Sequence, residues 1–242
     1  MCTVTFIPGS DHIYITSNRD EKLARSTAQT VAHHPGKSGT LMYPRDPDGG
    51  GTWMAVHERG DAAVLLNGAH QRHIPLPSYR MSRGRILLDL LDQYDPGKAF
   101  ESISLDGIQP FTAILLEGGC LTERRWDGEI KMSRMLNPTQ PQIWSSVTLY
   151  ESSVIEHRKQ WYSEWLPQHP LPTPLDIMEF HAFADQDDPG NGLQINSSAG
   201  IATVSICCLE IGPDSFRMHY LDLRAGSQAF LDLRRTHSTV SK

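Results

Sequence analysis

The chain has 242 residues, 39% hydrophobic and 21% charged, the make-up of a globular protein with room for a substantial core. Its 28 acidic residues outweigh 22 basic ones for a formal net charge of −6, which argues against nucleic acid as a partner, because phosphate binding needs a basic face. The apolar stretch at 204–211 is far too short for a membrane span, no cationic segment with an apolar core opens the chain, and position 2 is not glycine, so a cytoplasmic protein with no nucleic-acid partner is expected.

Residues 2–7 and 12–18 alternate and carry β-branched side chains, and Gly9-Ser10-Asp11 between them completes a hairpin. A turn-rich break at 46–51 lacks the lysine and following helix of a phosphate loop. It leads to strands at 52–57 and 61–66, joined by Arg59-Gly60. In 82–94, Leu87, Leu88, Leu91 and Tyr94 share one helical stripe that Asp95-Pro96-Gly97 stops, and a short helix runs on to 104. Strands at 111–117 and 120–126 flank Gly118-Gly119, and Asp127-Gly128 turns the chain into a further strand at 129–135. A second helix covers 150–166, with Val154, Arg158, Trp161 and Trp165 on one side. The prolines of 167–174 separate it from a third helical piece at 175–184, and 185–192 form a loop. A hairpin pairing 203–211 with 215–223 closes the fold, and the tail after Arg235 frays. No internal repeat occurs, and strands lie on both sides of the proline-rich connection. The expectation is one α+β domain over 1–242, with antiparallel sheets and helices packed outside them.

The four cysteines, Cys2, Cys120, Cys207 and Cys208, form no C-x-x-C pair and thus no zinc or disulfide framework. The closest histidine groupings, His33-His34 and His70/His73, have no H-E-x-x-H pattern, and Pro35 places the first pair in a loop. No metal and no other cofactor is expected.

The chemistry concentrates at the head of the chain. Cys2, Val4 and Phe6 share one face of their strand, and Ile13, Ile15, Ser17 and Arg19 share one face of the next. Burying Phe6 with Ile15 makes the two faces coincide, because a one-residue slip flips a whole strand. A two-residue loop at Ser10-Asp11 then sets Cys2 opposite Arg19. A cation beside a thiol favours the thiolate. Asn18 and Asp20 can orient a terminal ammonium, and a free α-amine with a pKa near 7.7–8.0 suits a general base. Once Met1 is removed, Cys2 carries both nucleophile and base. On the residues alone Cys2 is equally a small buried hydrophobe, and Arg19 a partner of Asp20 or Glu21.

The segments "MCTVTF", "SNRDEKLARST", "GGGTWMAVHERGDAAVLLN" and "SRGRILLDLL" resemble, in order and spacing, the transport and Golgi organisation protein 2 family, named for its Asn-Arg-Asp-Glu motif, here Asn18, Arg19, Asp20 and Glu21. The likeness covers roughly the first ninety residues. It implies an N-terminal-nucleophile (Ntn) hydrolase-like fold, a four-layer αββα sandwich of two antiparallel sheets between helix layers. It also implies Cys2 as nucleophile, supported by Arg19 and Asp20. Asn67 falls where that resemblance places an oxyanion-hole asparagine, though before Gly68 it reads equally as a turn residue. Ser146 stands where family members carry an asparagine before the long helix, and "SSAGIATV" lacks the arginine they carry before the late strand.

Three functions compete. The first is an Ntn amidohydrolase cleaving a non-peptide amide of a small acylated substrate, with Cys2, Arg19, Asp20 and Asn67 catalytic and Asn18 and Ser146 binding substrate. The second is a non-catalytic protein binding a hydrophobic small molecule, such as an acyl chain or haem, in the same cleft. The third is a trafficking scaffold using only its surface.

Overall fold

The computed structural model describes residues 3–183, 185, 188–196 and 200–236. The opening hairpin takes the register that burying Phe6 requires. β1 (Thr3–Pro8) runs antiparallel to β2 (Ile13–Lys22), with Phe6 opposite Ile15 and Thr3 opposite Asn18. The chain reverses at Ser10-Asp11, closed by a 2.8 Å bond from the Gly9 N–H to the His12 carbonyl.

The chain then builds a second sheet from β3 (Gln29–Pro35), β4 (Thr40–Arg45), β5 (Met54–His57) and β6 (Ala62–Asn67). Two helices follow, α1 (Arg83–Leu91) and α2 (Pro96–Ser102), and then β7 (Phe111–Glu117), β8 (Cys120–Trp126) and β9 (Lys131–Leu136) complete that sheet. From β10 (Gln142–Ser145) the chain returns to the first sheet. It passes through α3 (Ser152–Trp165), a 3-10 turn at Leu166–Gln168 and α4 (Pro174–His181), and closes with β11 (Ile201–Ile211), β12 (Ser215–Asp222) and β13 (Ser227–Arg234). The six-stranded sheet is ordered β10-β1-β2-β11-β12-β13 and the seven-stranded sheet β3-β4-β5-β6-β7-β8-β9, with every pairing antiparallel.

Each sheet carries helices on its outer face. α1 packs on β5 and β6 and α2 on β7, while α3 packs on β10 and α4 on β2 and β11. Between the sheets lies the main core, where Val4, Phe6, Ile15, Cys207 and Leu209 from one sheet join Met42, Val56, Val64 and Ile114 from the other. The fold is therefore an α+β sandwich of two antiparallel sheets between helices. A smaller cluster, Ile7, Tyr162, Ile177, Phe180 and Leu193, seals α3 and α4 onto the first sheet. Gly84, at the start of α1, lies against the loop that leads into β5. A Cβ there would sit 2.4 Å from the Thr52 carbonyl oxygen, so only glycine admits this approach.

Several sequence expectations are corrected. His33 and His34 lie in β3, not in a loop. Pro35 is tolerated because β3 is an edge strand that it terminates. The sequence reading has no strand at β4, β10 or β13; of these β10 and β13 are edge strands, β10 half-buried throughout and β13 mostly exposed, so neither carries a strong period-two apolar signal. α1 stops at Leu91, which leaves Tyr94 84% exposed; the buried stripe is Ile86, Leu87, Leu90 and Leu91. Asp92 leaves the helix because its carboxylate accepts the backbone N–H groups of Lys37 and Ser38 at 2.7 and 2.9 Å. Met1, Cys2, Ala184, Gln186, Asp187, the Ser197-Ser198-Ala199 stretch and the tail from 237 lie outside the described residues.

Candidate active site

Strand alternation sends the two central residues of the Asn-Arg-Asp-Glu stretch to opposite faces of β2. Arg19 points between the sheets and is only 4% exposed. Its guanidinium lies 5.0 Å from the centroid of the Trp53 ring and its Nη2 stands 3.6 Å from Asp46 Oδ1 and 3.7 Å from Glu21 Oε2. Those are charge contacts rather than hydrogen bonds, and among the described residues Nη2 has no hydrogen-bond partner. Asp46 is already held by Arg25 Nη2 at 2.8 and 3.1 Å. A buried donor left open in this way favours any incoming acceptor oxygen. It borders a cavity of about 350 Å³ that Trp53, Thr52, Asn67, Tyr79 and Arg83 also line.

Asp20 points instead toward the helices. Its Oδ2 accepts from Tyr150 Oη at 2.6 Å and its Oδ1 from Thr203 Oγ1 at 2.5 Å. Asn18, fully buried on the same side, donates its amide to the carbonyls of His181 and Leu193 at 2.9 and 2.7 Å. Its Oδ1 must then accept from His181 Nδ1, 2.5 Å away, so His181 Nε2 accepts the Thr5 hydroxyl at 2.8 Å. Full burial and the nearby Arg158 charge push the His181 imidazole down to about 3, and it is neutral at physiological pH.

Asn67 ends β6 and separates two cavities. Its backbone carbonyl accepts from Ser146 Oγ at 2.9 Å, and that hydroxyl also meets Thr148 Oγ1 at 3.0 Å. Ser146 is thus a buried support for Asn67 rather than part of the wall of either cavity. The second cavity measures about 410 Å³. The carboxylate of Glu123 on its wall is gripped by Arg125 at 3.0 and 3.1 Å, by Arg134 at 3.3 Å and by Trp144 Nε1 at 3.1 Å. Burial works against the charge of Glu123, but these donors hold its carboxyl below the usual range.

Cys2 lies outside the described residues, so the expected Cys2–Arg19 pairing is not part of this geometry; Thr3, covalently bonded to Cys2, begins β1. Among the other thiols, burial pushes Cys207 well above its ordinary value and Cys208 up to about 12, which leaves both protonated at neutral pH. Cys120 is exposed at the start of β8. Among the described residues no group of three or more His, Cys, Asp or Glu side chains converges to hold a metal. The histidine groupings have other partners: His33 the Asp232 carbonyl, His34 the stacked Tyr43 ring, His70 Arg125 and His73 Gln109. No described helix is long and apolar enough to cross a membrane.

Sequence reasoning missed Trp53 and Asp46 beside Arg19, and Tyr150, Thr203 and His181 beside Asp20 and Asn18. Arg158 alone left a trace, as a charge on the inward stripe of its helix.

Residues 1–153 of the chain match the sequence family described as Transport and Golgi organisation 2. No curated protein is significantly similar to the chain in sequence. Solved structures are similar in fold. An arginine-to-leucine variant of conjugated bile acid hydrolase from Clostridium perfringens superposes with a TM-score of 0.55 at 12% identity, covering 96% of this chain and 92% of that one. A cysteine-to-alanine mutant of the same hydrolase gives 0.54 at 10% identity with the same coverage. The Caenorhabditis elegans ortholog of N-acylethanolamine-hydrolyzing acid amidase gives 0.58 at 11%, covering 86% and 92%. At such identities the shared property is the Ntn-hydrolase fold.

Proposed function

The chain belongs to the Transport and Golgi organisation 2 family, and from that premise we propose that it is an Ntn amidohydrolase cleaving a non-peptide amide of a small acylated substrate. With Met1 removed, the Cys2 α-amine takes up the thiol proton and the thiolate so formed attacks the amide carbonyl. That amine returns the proton to the departing nitrogen, and the C–N bond breaks to leave an acyl thioester on Cys2. Water then attacks the thioester, the amine acting as base again, and releases a carboxylic acid and the free thiol.

The observation that carries this reading is Arg19 Nη2, a buried guanidinium donor with no hydrogen-bond partner among the described residues, at the edge of a cavity and beside the end of β2 that pairs with the start of β1. It would favour the thiolate and take a carbonyl or carboxylate oxygen of the substrate. The Asn67 amide would face the developing oxyanion. Cavities of about 350 and 410 Å³ on its two sides leave room for the acyl and amine halves. Asp20 would hold the terminal amine, and Asn18, anchored to His181, keeps β2 in place. The conjugated bile acids and N-acylethanolamines in the names of the fold relatives set the substrates to try first.

A panel of acyl amides incubated with protein beginning at Cys2, with Cys2→Ala as control, tests the reading. Release of amine and an acyl mass added to Cys2 are expected from the first protein and neither from the second. No turnover, together with a hydrophobic molecule retained through purification, would instead support a binding protein.

A further inference from the structure

Arg158, midway along α3, heads the largest fully buried side chains among the described residues. Its hydrogen-bond acceptors are all neutral: Thr3 Oγ1 at 2.8 Å, the Asn191 carbonyl at 3.3 Å and the Gly192 carbonyl at 2.5 Å. The guanidinium lies 3.6 Å from the centroid of the Tyr150 ring. The Tyr150 hydroxyl in turn donates to Asp20, whose other oxygen accepts from Thr203. From α4 the titratable neighbour is His181, which burial and this same cation keep neutral. The carboxylate in the network is therefore Asp20, one aromatic ring away.

Burying a guanidinium against neutral oxygens is unfavourable unless something nearby uses the charge. Apolar packing could have sealed α3 onto the sheet here, as the Tyr162 ring does one turn on and Ile177 does for α4. The charge is instead directed at Thr3, the residue bonded to Cys2, and through Tyr150 at the carboxylate of β2.

We propose that Arg158 and Tyr150 are positioning residues for the N-terminal catalytic unit, Arg158 fixing the start of β1 through Thr3 and Tyr150 fixing Asp20 toward the Cys2 amine. This rests on Cys2 being the nucleophile, as proposed above. A cation in this buried place favours the deprotonated amine and thiolate of Cys2, and removing it disfavours both. Removing the Tyr150 hydroxyl leaves the Asp20 charge less neutralised and acts in the same direction.

The test is the rate of Cys2 alkylation against pH, read by peptide mass spectrometry with Cys120 as internal reference and thermal unfolding recorded alongside. It compares wild type, Arg158→Lys, Arg158→Met and Tyr150→Phe. The Cys2 midpoint should rise by at least about half a pH unit in Arg158→Met and in Tyr150→Phe, and Arg158→Lys should restore it. Should Arg158→Met fail to fold, Tyr150→Phe, which removes a single oxygen, carries the test. Unchanged midpoints with lowered melting temperatures would overturn the inference, reducing the pair to scaffolding while Cys2 keeps its role. A wild-type Cys2 no faster than Cys120 at any pH would overturn the nucleophile itself, and this inference with it.

Discussion

Replacing His181 by glutamine should change how acid destabilises the protein. His181 is fully buried and pushed down to about 3 in the folded state, chiefly by burial and then by the Arg158 charge. Its unfolded value is the ordinary one, about 6.5. Between the two the unfolded chain binds a proton that the folded chain refuses, so this contribution to stability is fully present above pH 6.5 and is lost as pH falls toward 3. The slope is about 1.4 kcal/mol per pH unit, so the wild type should lose about 2 kcal/mol from this group between pH 6.5 and 5. Glutamine does not titrate, and it replaces the bonds to Thr5 and Asn18 imperfectly, at a cost of about 1–2 kcal/mol at neutral pH. The variant should therefore be less stable at pH 7.5, match the wild type between pH 6 and 5, and exceed it below. His57, His34 and His73 are also lowered by burial, so both proteins weaken in acid and the difference between them isolates His181. Urea unfolding at four pH values from 7.5 to 5, with slopes compared, measures it. Parallel stability curves would refute a neutral, buried His181.

Gly84→Ala should destabilise by about 1–3 kcal/mol or more, because its Cβ meets Thr52 backbone atoms at 2.4 and 2.7 Å that cannot yield. Gly190→Ala, with its nearest atom at 3.8 Å, serves as control, and equal melting temperatures for the two would deny the close approach. Arg19→Ala should slow Cys2 alkylation at neutral pH about tenfold, one pKa unit of lost thiolate stabilisation. In the wild type Cys207 and Cys208 should react far more slowly than Cys2, since burial holds both thiols protonated. Four thiols labelled at equal rates in the folded protein would exclude an activated cysteine.

Strand chemistry is local, and that is why the first hairpin was legible. Period-two alternation around Phe6 and Ile15 leaves one register that buries both, and Thr3 opposite Asn18 follows from it. The same parity already implied that Arg19 and Asp20, adjacent in sequence, face opposite ways. Clustered motifs across the first ninety residues carried the family and, through it, the sandwich. β3 and β13 escaped notice because an edge strand needs little apolar patterning, and Pro35 and the paired histidines looked like turn chemistry.

By itself the sequence determined the head of the chain: the register of its first hairpin, and an arginine and an aspartate on opposite faces of the returning strand. Only the tertiary structure decided what those side chains meet. Tyr150 and Thr203 reach Asp20 from 130 and 183 positions away, Arg158 reaches Thr3 from 155, and Trp53 lies against Arg19 from the loop that leads into β5. Such partners depend on how two sheets and two helix layers stack. Local periodicity says which face of an element is buried, but the identity of the neighbour across the gap is a property of the packed whole.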